Sequence, residues 1–377
     1  MNKPKLLTVL LAVLVISLIS VLGGALGDAF GLGFLGSPIP FISVPAERVA
    51  TVAGYDIINT TIMFWAAMVI IILFAWRGTR NMQLVPTGMQ NFVELLVEGF
   101  IGLVESVGGP PARRFLPLVM TIFLAVVVSN WLGILPGVGT IGRIETVEEI
   151  VEHHTHHTLD ELSGEEIEEA VHEIEDKMTV FDGEGVKFIP FGRGESSKIE
   201  ASSIIDHDSD DLAHDVEAGL VVTQPDGYEY PELVGEDKTA GILVPFLRGP
   251  NTSINTTLAI AIVAMVMIHF YGFSTLGLRG HGGKYINLKE GPIFFAVGLL
   301  EIVSEISRVI SFTFRLFGNM FAGEVLLVAM GFLFPLVGII PFLGLELFVG
   351  AIQGFIFAML TLVFAVVATS AHGDEGH

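Results

Sequence analysis

The sequence predicts an all-α integral membrane protein with about five spanning helices, a surface amphipathic helix and one small soluble insert of mixed or irregular structure. Three observations lead there. Of 377 residues, 51% are hydrophobic and 16% charged, with a mean hydropathy of +0.68, whereas an ordinary soluble chain is about 25% charged. The apolar residues gather in runs near or beyond the ~20 residues that cross hydrocarbon. The charge is also segregated: residues 145–240 hold 28 acids and 5 bases, and the rest of this chain of net charge −22 is close to neutral. A nearly neutral hydrophobic protein thus carries one acidic polar segment. That balance argues against nucleic-acid binding, which needs a basic face. The lack of cysteine excludes disulfides, thiolate catalysis and Cys-ligated metals.

Residues 1–27 start with Lys3 and Lys5, continue through an apolar run and end in small residues around Ala25 and Gly27. This is a signal peptide, cleaved, or an uncleaved first membrane segment. The membrane region 28–144 contains spans near 57–76 and 115–135. Between them, over 87–107, Phe92, Leu95, Leu96, Gly99, Phe100 and Leu103 recur at helical spacing among Glu94, Glu98 and Glu105, an amphipathic helix for the membrane surface or a partner. Pro110, Pro111, Arg113 and Arg114 end it. Within the acidic insert 145–240, residues 145–177 read as a polar helix and 186–191 and 220–223 as short β-like pieces. The membrane region 241–377 has a span near 253–273, then a basic loop with Arg279, Lys284 and Lys289.

Two long apolar stretches follow, 291–330 and 337–369. A forty-residue helix is about 60 Å long, against about 30 Å of hydrocarbon. Unbroken, such helices lie about 60° off the bilayer normal or run partly in the interface, a tilted hairpin wrapped around something. The alternative is a break at a glycine. If every span crosses, Lys3/Lys5, Arg77/Arg80/Arg113/Arg114 and Arg279/Lys284/Lys289 fall on one side. The positive-inside rule makes that side cytoplasmic, with the acidic insert outside and the C-terminus inside.

The chemistry sits in residues 301–324. At about 100° per residue, Glu301, Ser304, Arg308, Ser311, Arg315 and Asn319 form one polar stripe, with Glu324 on the opposite face. On the last helix Glu346 and Gln353, seven apart, share a face. Ionisable groups at membrane depth are costly, and they line ion paths or pair. Arg308 has Glu301 and Glu305 within reach, or can extend to the interface. Arg315 has no acid at i±3 or i±4, so its counter-charge must come from another helix or chain. Its guanidinium stays protonated, which makes it a poor proton carrier and a good fixed barrier.

Arg315-Leu-Phe-Gly-Asn319-Met-Phe-Ala-Gly-Glu324 closely resembles the signature of the subunit a family of rotary F-type ATP synthases. Further stretches resemble the family in register: Pro86-Thr-Gly-Met-Gln-Asn-Phe-Val-Glu-Leu, Asn130-Trp-Leu-Gly-Ile-Leu-Pro-Gly, Val244-Pro-Phe-Leu-Arg248, Asn255-Thr-Thr-Leu-Ala and Gln353-Gly-Phe-Ile-Phe. The resemblance implies a stator that passes protons between two half-channels and the carboxylates of a rotating ring of c subunits, held by peripheral-stalk b subunits in the whole ATP synthase complex, within the lipid bilayer of a bacterial-type plasma (inner) membrane. It implies that Arg315 attracts the deprotonated ring carboxylate and blocks a direct leak, and that Asn319, Glu324, Glu346 and Gln353 belong to the translocation path. Glu301, Arg308 and Ser311 match positions on the same stripe and are secondary candidates. Some family members have His in one of the two positions filled here by Glu324 and Glu346; two nearby carboxylates would tend to share a proton. No metal and no cofactor is implied, and the chain itself is expected to be non-catalytic.

The roughly 95-residue insert departs from the family's short loop. Its His153, His154, His156 and His157 suit a transition metal or, more plainly, a solvated polar helix. His269, near the inner end of its span, reads as a packed or interfacial histidine before a relay. Two other function classes stand beside the stator. A stand-alone secondary transporter would use Arg315, Glu324 and Glu346 on a substrate, but the chain shows no repeated half. A scaffold displaying the acidic segment would leave the intramembrane Arg–Glu set unexplained. No P-loop or nucleophile elbow is present. Co-purification with a c-ring separates the stator from both alternatives.

Overall fold

The structure, a computed structural model, describes residues 3–23, 46–52, 55–135, 137–146, 179–182, 186–188, 238–283, 285, 292–334 and 338–370. In chain order these form α1 (Lys3–Gly23), β1 (Arg48–Val52), β2 (Tyr55–Ile58), α2 (Asn59–Thr79), α3 (Met89–Gly108), a 3-10 turn (Pro110–Phe115), α4 (Leu116–Gly133), β3 (Ile141–Thr146), β4 (Thr179–Asp182), β5 (Val186–Phe188), β6 (Lys238–Pro245), a second 3-10 turn (Pro250–Thr252), α5 (Ile254–Gly282), α6 (Pro292–Leu333) and α7 (Ile339–Thr369). Among the described residues, five helices are long and apolar enough to cross a membrane: Asn59–Thr79, Pro110–Gly133, Ile254–Leu278, Ala296–Leu333 and Ile339–Thr369. The protein is helical with small sheets, the all-α membrane architecture expected from the apolar runs.

The chain divides into two compact units, one of residues 60–135, 248–324 and 344–377, the other of 1–59, 136–247 and 325–343. The first is a helical body. One cluster in it joins Phe100 and Val104 of α3, Phe115 and Val119 beside the 3-10 turn, Met265 and Ile268 of α5 and Ala358, Leu362 and Ala365 of α7. A second joins Ile122 and Val126 of α4, Ala261 and Ala264 of α5, Phe312, Leu316 and Met320 of α6 and Phe357 of α7. In lipid the hydrophobic effect does not drive helices together, so small residues that permit close packing and polar ties carry more of the association. The alanines supply the first. Asn251 donates to Asn130 Oδ1 at 2.6 Å, Asn130 Nδ2 donates to Gly350 O at 3.1 Å, and Trp131 Nε1 donates to Leu347 O at 3.0 Å, the second.

The amphipathic helix α3 divides its apolar side. Phe100 and Val104 are buried in the body, whereas Met89, Phe92 and Leu95 stay exposed. α2 likewise exposes Trp65, Ile72, Leu73 and Trp76, and Arg80 lies over the Trp76 ring at 4.8 Å, an interface-type pairing at the end of a span. α6 runs unbroken through 42 residues, about 63 Å at the standard rise, and α7 through 31; neither breaks at a glycine. α5 does break, at Gly277, whose φ of 71° and ψ of 171° are non-helical.

In the other unit β1 and β2 pair antiparallel. A four-stranded sheet has the order β4-β6-β3-β5, and β3 pairs antiparallel with β6 from Gly142↔Pro245 to Thr146↔Gly241. Asn59 Nδ2 donates to Glu47 Oε2 at 2.7 Å and to Pro245 O at 3.0 Å, which ties the β1–β2 hairpin to the sheet. Glu145 and Thr146, expected to open a polar helix, lie in β3 instead: they continue the strand that starts at Ile141 and pair with Ile242 and Gly241 of β6. The remainder of that expected helix, the piece at 220–223 and His153, His154, His156 and His157 lie outside the described residues. Val186–Phe188 forms the strand expected near there.

Asn130 is buried, and its removal leaves the Asn251 amide without this acceptor and takes away the side-chain tie to α7 at Gly350. Asn130→Ala is expected to destabilise the protein by about 1–3 kcal/mol, the cost of leaving buried polar groups unmatched, measured as a lowered unfolding midpoint in detergent. An unchanged midpoint would show that the tie contributes nothing.

Candidate functional site

Phe312, Leu316 and Met320, four residues apart, turn one face of α6 into the helical body. Phe312 stacks on Phe357 and Phe364 of α7, with ring centroids 4.6 and 5.8 Å apart. The residues one step earlier, Ser311, Arg315 and Asn319, consequently emerge at the surface, and all three are exposed. Because α6 is continuous, they remain in line with Ser304, Arg308 and Glu301. The polar stripe is therefore a physical row. Beside it runs an exposed apolar row of Leu300, Val303, Ile310 and Phe314.

The arginines differ in how their charge is met. Arg308 pairs with Glu305 and, at 3.5 Å, with Glu301, and lies over the Phe364 ring at 4.7 Å; this is the internal pairing left open by the sequence. Arg248, only 6% exposed, grips Glu324 with Nε at 3.0 Å and Nη2 at 3.1 Å from the two carboxylate oxygens. Arg315 has a hydrogen bond to Ser311 Oγ at 3.5 Å, and among the described residues no carboxylate pairs with it. One guanidinium thus stands on an exposed face without a carboxylate among the described residues.

Glu324 and Glu346 stand in different settings. Glu324 is held by Arg248. Glu346 is 4% exposed and lies against Gly323: a Cβ there would meet its Oε1 at 1.8 Å, so only glycine admits this carboxyl. Its Oε2 is buried with no hydrogen-bond partner among the described residues. Gln353 is half-buried, seven residues beyond Glu346 on the same helix, and makes no hydrogen bond to Arg315. Between Glu346 and Gln353, the bonds from Trp131 to Leu347 O and from Asn130 to Gly350 O fix this stretch of α7 against α4.

Sequence reasoning overlooked Arg248 as a partner of Glu324, and Asn130 and Asn251 as the anchor of α7. Arg248 did carry a signal: a lone arginine at the edge of a span with no acid near it in sequence. That signal leaves the partner unidentified, since Glu324 is 76 residues away.

Comparison with known proteins agrees with the motif. The family described as "ATP synthase A chain" matches residues 61–154 and 229–365, so the unmatched stretch falls inside the acidic segment. The chain is 28% identical to "ATP synthase subunit a" of Desulfosudis oleivorans, across 82% of this chain and 87% of that protein. It is 24% identical to "ATP synthase subunit a 1" of Pelobacter propionicus across 83% and 86%. Over 143 residues, 36% of this chain and 52% of the other, it is 36% identical to "ATP synthase subunit a" of Desulforamulus reducens.

Removing one partner of a buried ion pair costs about 3–5 kcal/mol, and Glu324, 33% exposed, places Arg248→Gln at or below the low end. Arg248→Gln and Glu324→Gln are each expected to lower the unfolding midpoint of the purified protein, and the double variant to recover part of the loss. A double-mutant cycle measures the coupling, expected at about 1–3 kcal/mol; additive effects would mean that the pair is not coupled.

Proposed function

The chain belongs to the ATP synthase A chain family, the proton-translocating stator subunit of F-type ATP synthases, and we propose that Arg315 is its point of contact with the carboxylates of a rotating c-ring. The observation that carries this assignment is the exposed Arg315 guanidinium, left without a carboxylate among the described residues on a helix whose neighbouring exposed row is apolar. A ring that presents one carboxylate at a time from an apolar wall is the complementary surface. A neutral carboxylic acid can face lipid and a carboxylate cannot, so a site gains a proton before leaving the stator and releases one on returning. Arg315 attracts the deprotonated site and, being permanently charged, stops protons from crossing directly between the two half-channels.

In this reading Asn319, Gln353, Glu346 and Glu324 line the path on the outer side of Arg315. Ser311, Arg308 and Glu301 continue the stripe on the inner side. Gly323 seats the Glu346 carboxyl, and Arg248 fixes Glu324. The subunit adds no nucleotide chemistry of its own; ATP is made or hydrolysed by other subunits of the complex, and peripheral-stalk b subunits hold the stator against rotation.

The protein is a multi-pass membrane protein. Its proposed orientation puts Arg77, Arg80, Arg113 and Arg114 on the cytoplasmic side with the C-terminus, and the acidic insert outside a bacterial-type plasma membrane. The basic residues at the end of α2 and between α3 and α4 support this.

Vesicles carrying the assembled complex with Arg315→Ala are expected to lose ATP-driven proton pumping and ATP synthesis by at least tenfold, with assembly intact, and to show a passive proton leak. Unchanged coupled pumping would remove Arg315 from the centre of the function.

A further inference from the structure

The helical body contains a second polar cluster. Beyond the break at Gly277 the chain folds back, so that a Cβ on Gly272 would meet the His281 ring at 2.5 Å. His281 is 1% exposed, and its Nε2 lies 3.2 Å from His269 Nδ1. The other nitrogen of His269, Nε2, lies 3.8 Å from Glu305 Oε2. Glu305 Oε1 accepts from the Tyr285 hydroxyl at 3.2 Å and from the Arg308 guanidinium, and Arg308 also reaches Glu301 at 3.5 Å. Burial, followed by the neighbouring Glu305 carboxylate, pushes the Tyr285 phenol well above its ordinary range, so Tyr285 stays protonated and serves as a donor.

Two features exceed what a structural ion pair needs. Arg308 and Tyr285 both bind Glu305 Oε1, while Oε2 is buried without a hydrogen bond among the described residues and faces His269 Nε2. And the two histidines are unequal: His281 is sealed, whereas the His269 side chain is 28% exposed and meets the acid on one side and the surface on the other.

We propose that His269 and Glu305 are the proton-exchange pair at the inner mouth of the translocation path, with His281 as a positioning residue. This rests on the stator reading and its orientation. With His269 Nδ1–H donating to His281 Nε2, the Nε2 lone pair is open. Imidazole takes up and gives up protons near neutral pH. A hydronium ion gives up one O–H bond, leaving water, and its proton bonds to Nε2 to form imidazolium. That N–H bond then breaks as the proton passes to Glu305 Oε2, across the gap by one bridging water or a small side-chain turn, leaving a neutral ring and a neutral carboxyl. The imidazolium is offset by the Glu305 carboxylate, and once Glu305 is neutral Arg308 keeps Glu301. No charge is stranded at either stage. For synthesis the steps run in reverse, and Glu301 and Ser311 lead along the stripe towards Arg315.

The test uses the assembled complex in inverted vesicles, reading ATP-driven pumping and, after removal of the nucleotide-binding subunits, passive proton conduction at equal amounts of assembled subunit. His269→Ala and Glu305→Gln are expected to slow conduction at least tenfold, the low side of the ~10²–10⁴ that a positioned proton-transfer group contributes. Millimolar imidazole on the cytoplasmic side restores part of the loss in His269→Ala and none in Glu305→Gln. His281→Gln shifts the pH profile of conduction and slows it less. His269→Gln keeps a hydrogen-bonding group of similar reach without a titratable ring, so it reports on function if the alanine variant assembles poorly. Conduction at the wild-type rate in His269→Gln, or a loss in His269→Ala that imidazole leaves untouched, overturns the proposal. Arg315→Ala in the same membranes separates the two levels: normal pumping there overturns the stator reading itself, whereas lost pumping beside unaffected His269 variants overturns only the exchange pair.

Discussion

An arginine keeps its charge at any pH a cell meets, and in a membrane an unmatched charge costs several kcal/mol. The helical body contains three arginines on or beside its long polar helix, and it meets two of them. Arg248 is closed by Glu324 and Arg308 by Glu305 and Glu301. Among the described residues no carboxylate pairs with Arg315, and the proposed function turns on that. An exposed guanidinium of this kind has room for a carboxylate from another chain. In the proposed function that carboxylate is transient, since a permanent partner would hold Arg315 as Glu324 holds Arg248.

Holding such a group still is a packing problem. Arg315 is displaced by one residue from Leu316, which is fully buried, so its direction is set by the Phe312–Leu316–Met320 face and by the rings of Phe357 and Phe364. The helix is about twice as long as a bilayer core is thick, and for that reason it presents a row of several turns where an upright span would offer a point. The polar stripe and the apolar row beside it are two products of one periodicity. On the facing helix, Glu346 and Gln353 bracket the stretch tied by Asn130 and Trp131. Those ties are made to backbone carbonyls, so they locate α7 without engaging the side chains of Glu346 and Gln353.

The spans, the amphipathic helix and the long hairpin were legible in the sequence because each rests on a local quantity, run length or the 3.6-residue period. Arg315 and its stripe were legible for the same reason: the absence of a nearby acid is a statement about i±3 and i±4. What stayed hidden depends on separation. Arg248 meets Glu324, and Asn130 meets Asn251, only through tertiary packing. Gly323 looked like an ordinary motif glycine until the Glu346 carboxyl occupied the space where its Cβ would be. His269 read as a packed histidine, since nothing local marks Gly277 as the hinge that returns His281 and Tyr285 to it. The expectation that Glu324 and Glu346 share a proton assumed that both carboxyls lacked a cation; the guanidinium on Glu324 came from a segment beyond the insert.

The insert, a large departure from the family, is closed at its base by strand pairing. It begins and ends in β3 and β6, which pair antiparallel with Thr146 opposite Gly241. The segment between them therefore leaves and returns at one place on the sheet. Loop closure grows only with the logarithm of length, about 0.6 kcal/mol for each doubling, and the strand pairing has already brought the ends together. The hydrogen bond from Asn59 to Pro245 O secures that base at the head of α2. Just past β6 comes Arg248, the residue that holds Glu324. The sheet therefore closes the acidic segment at its base before the chain reaches that residue.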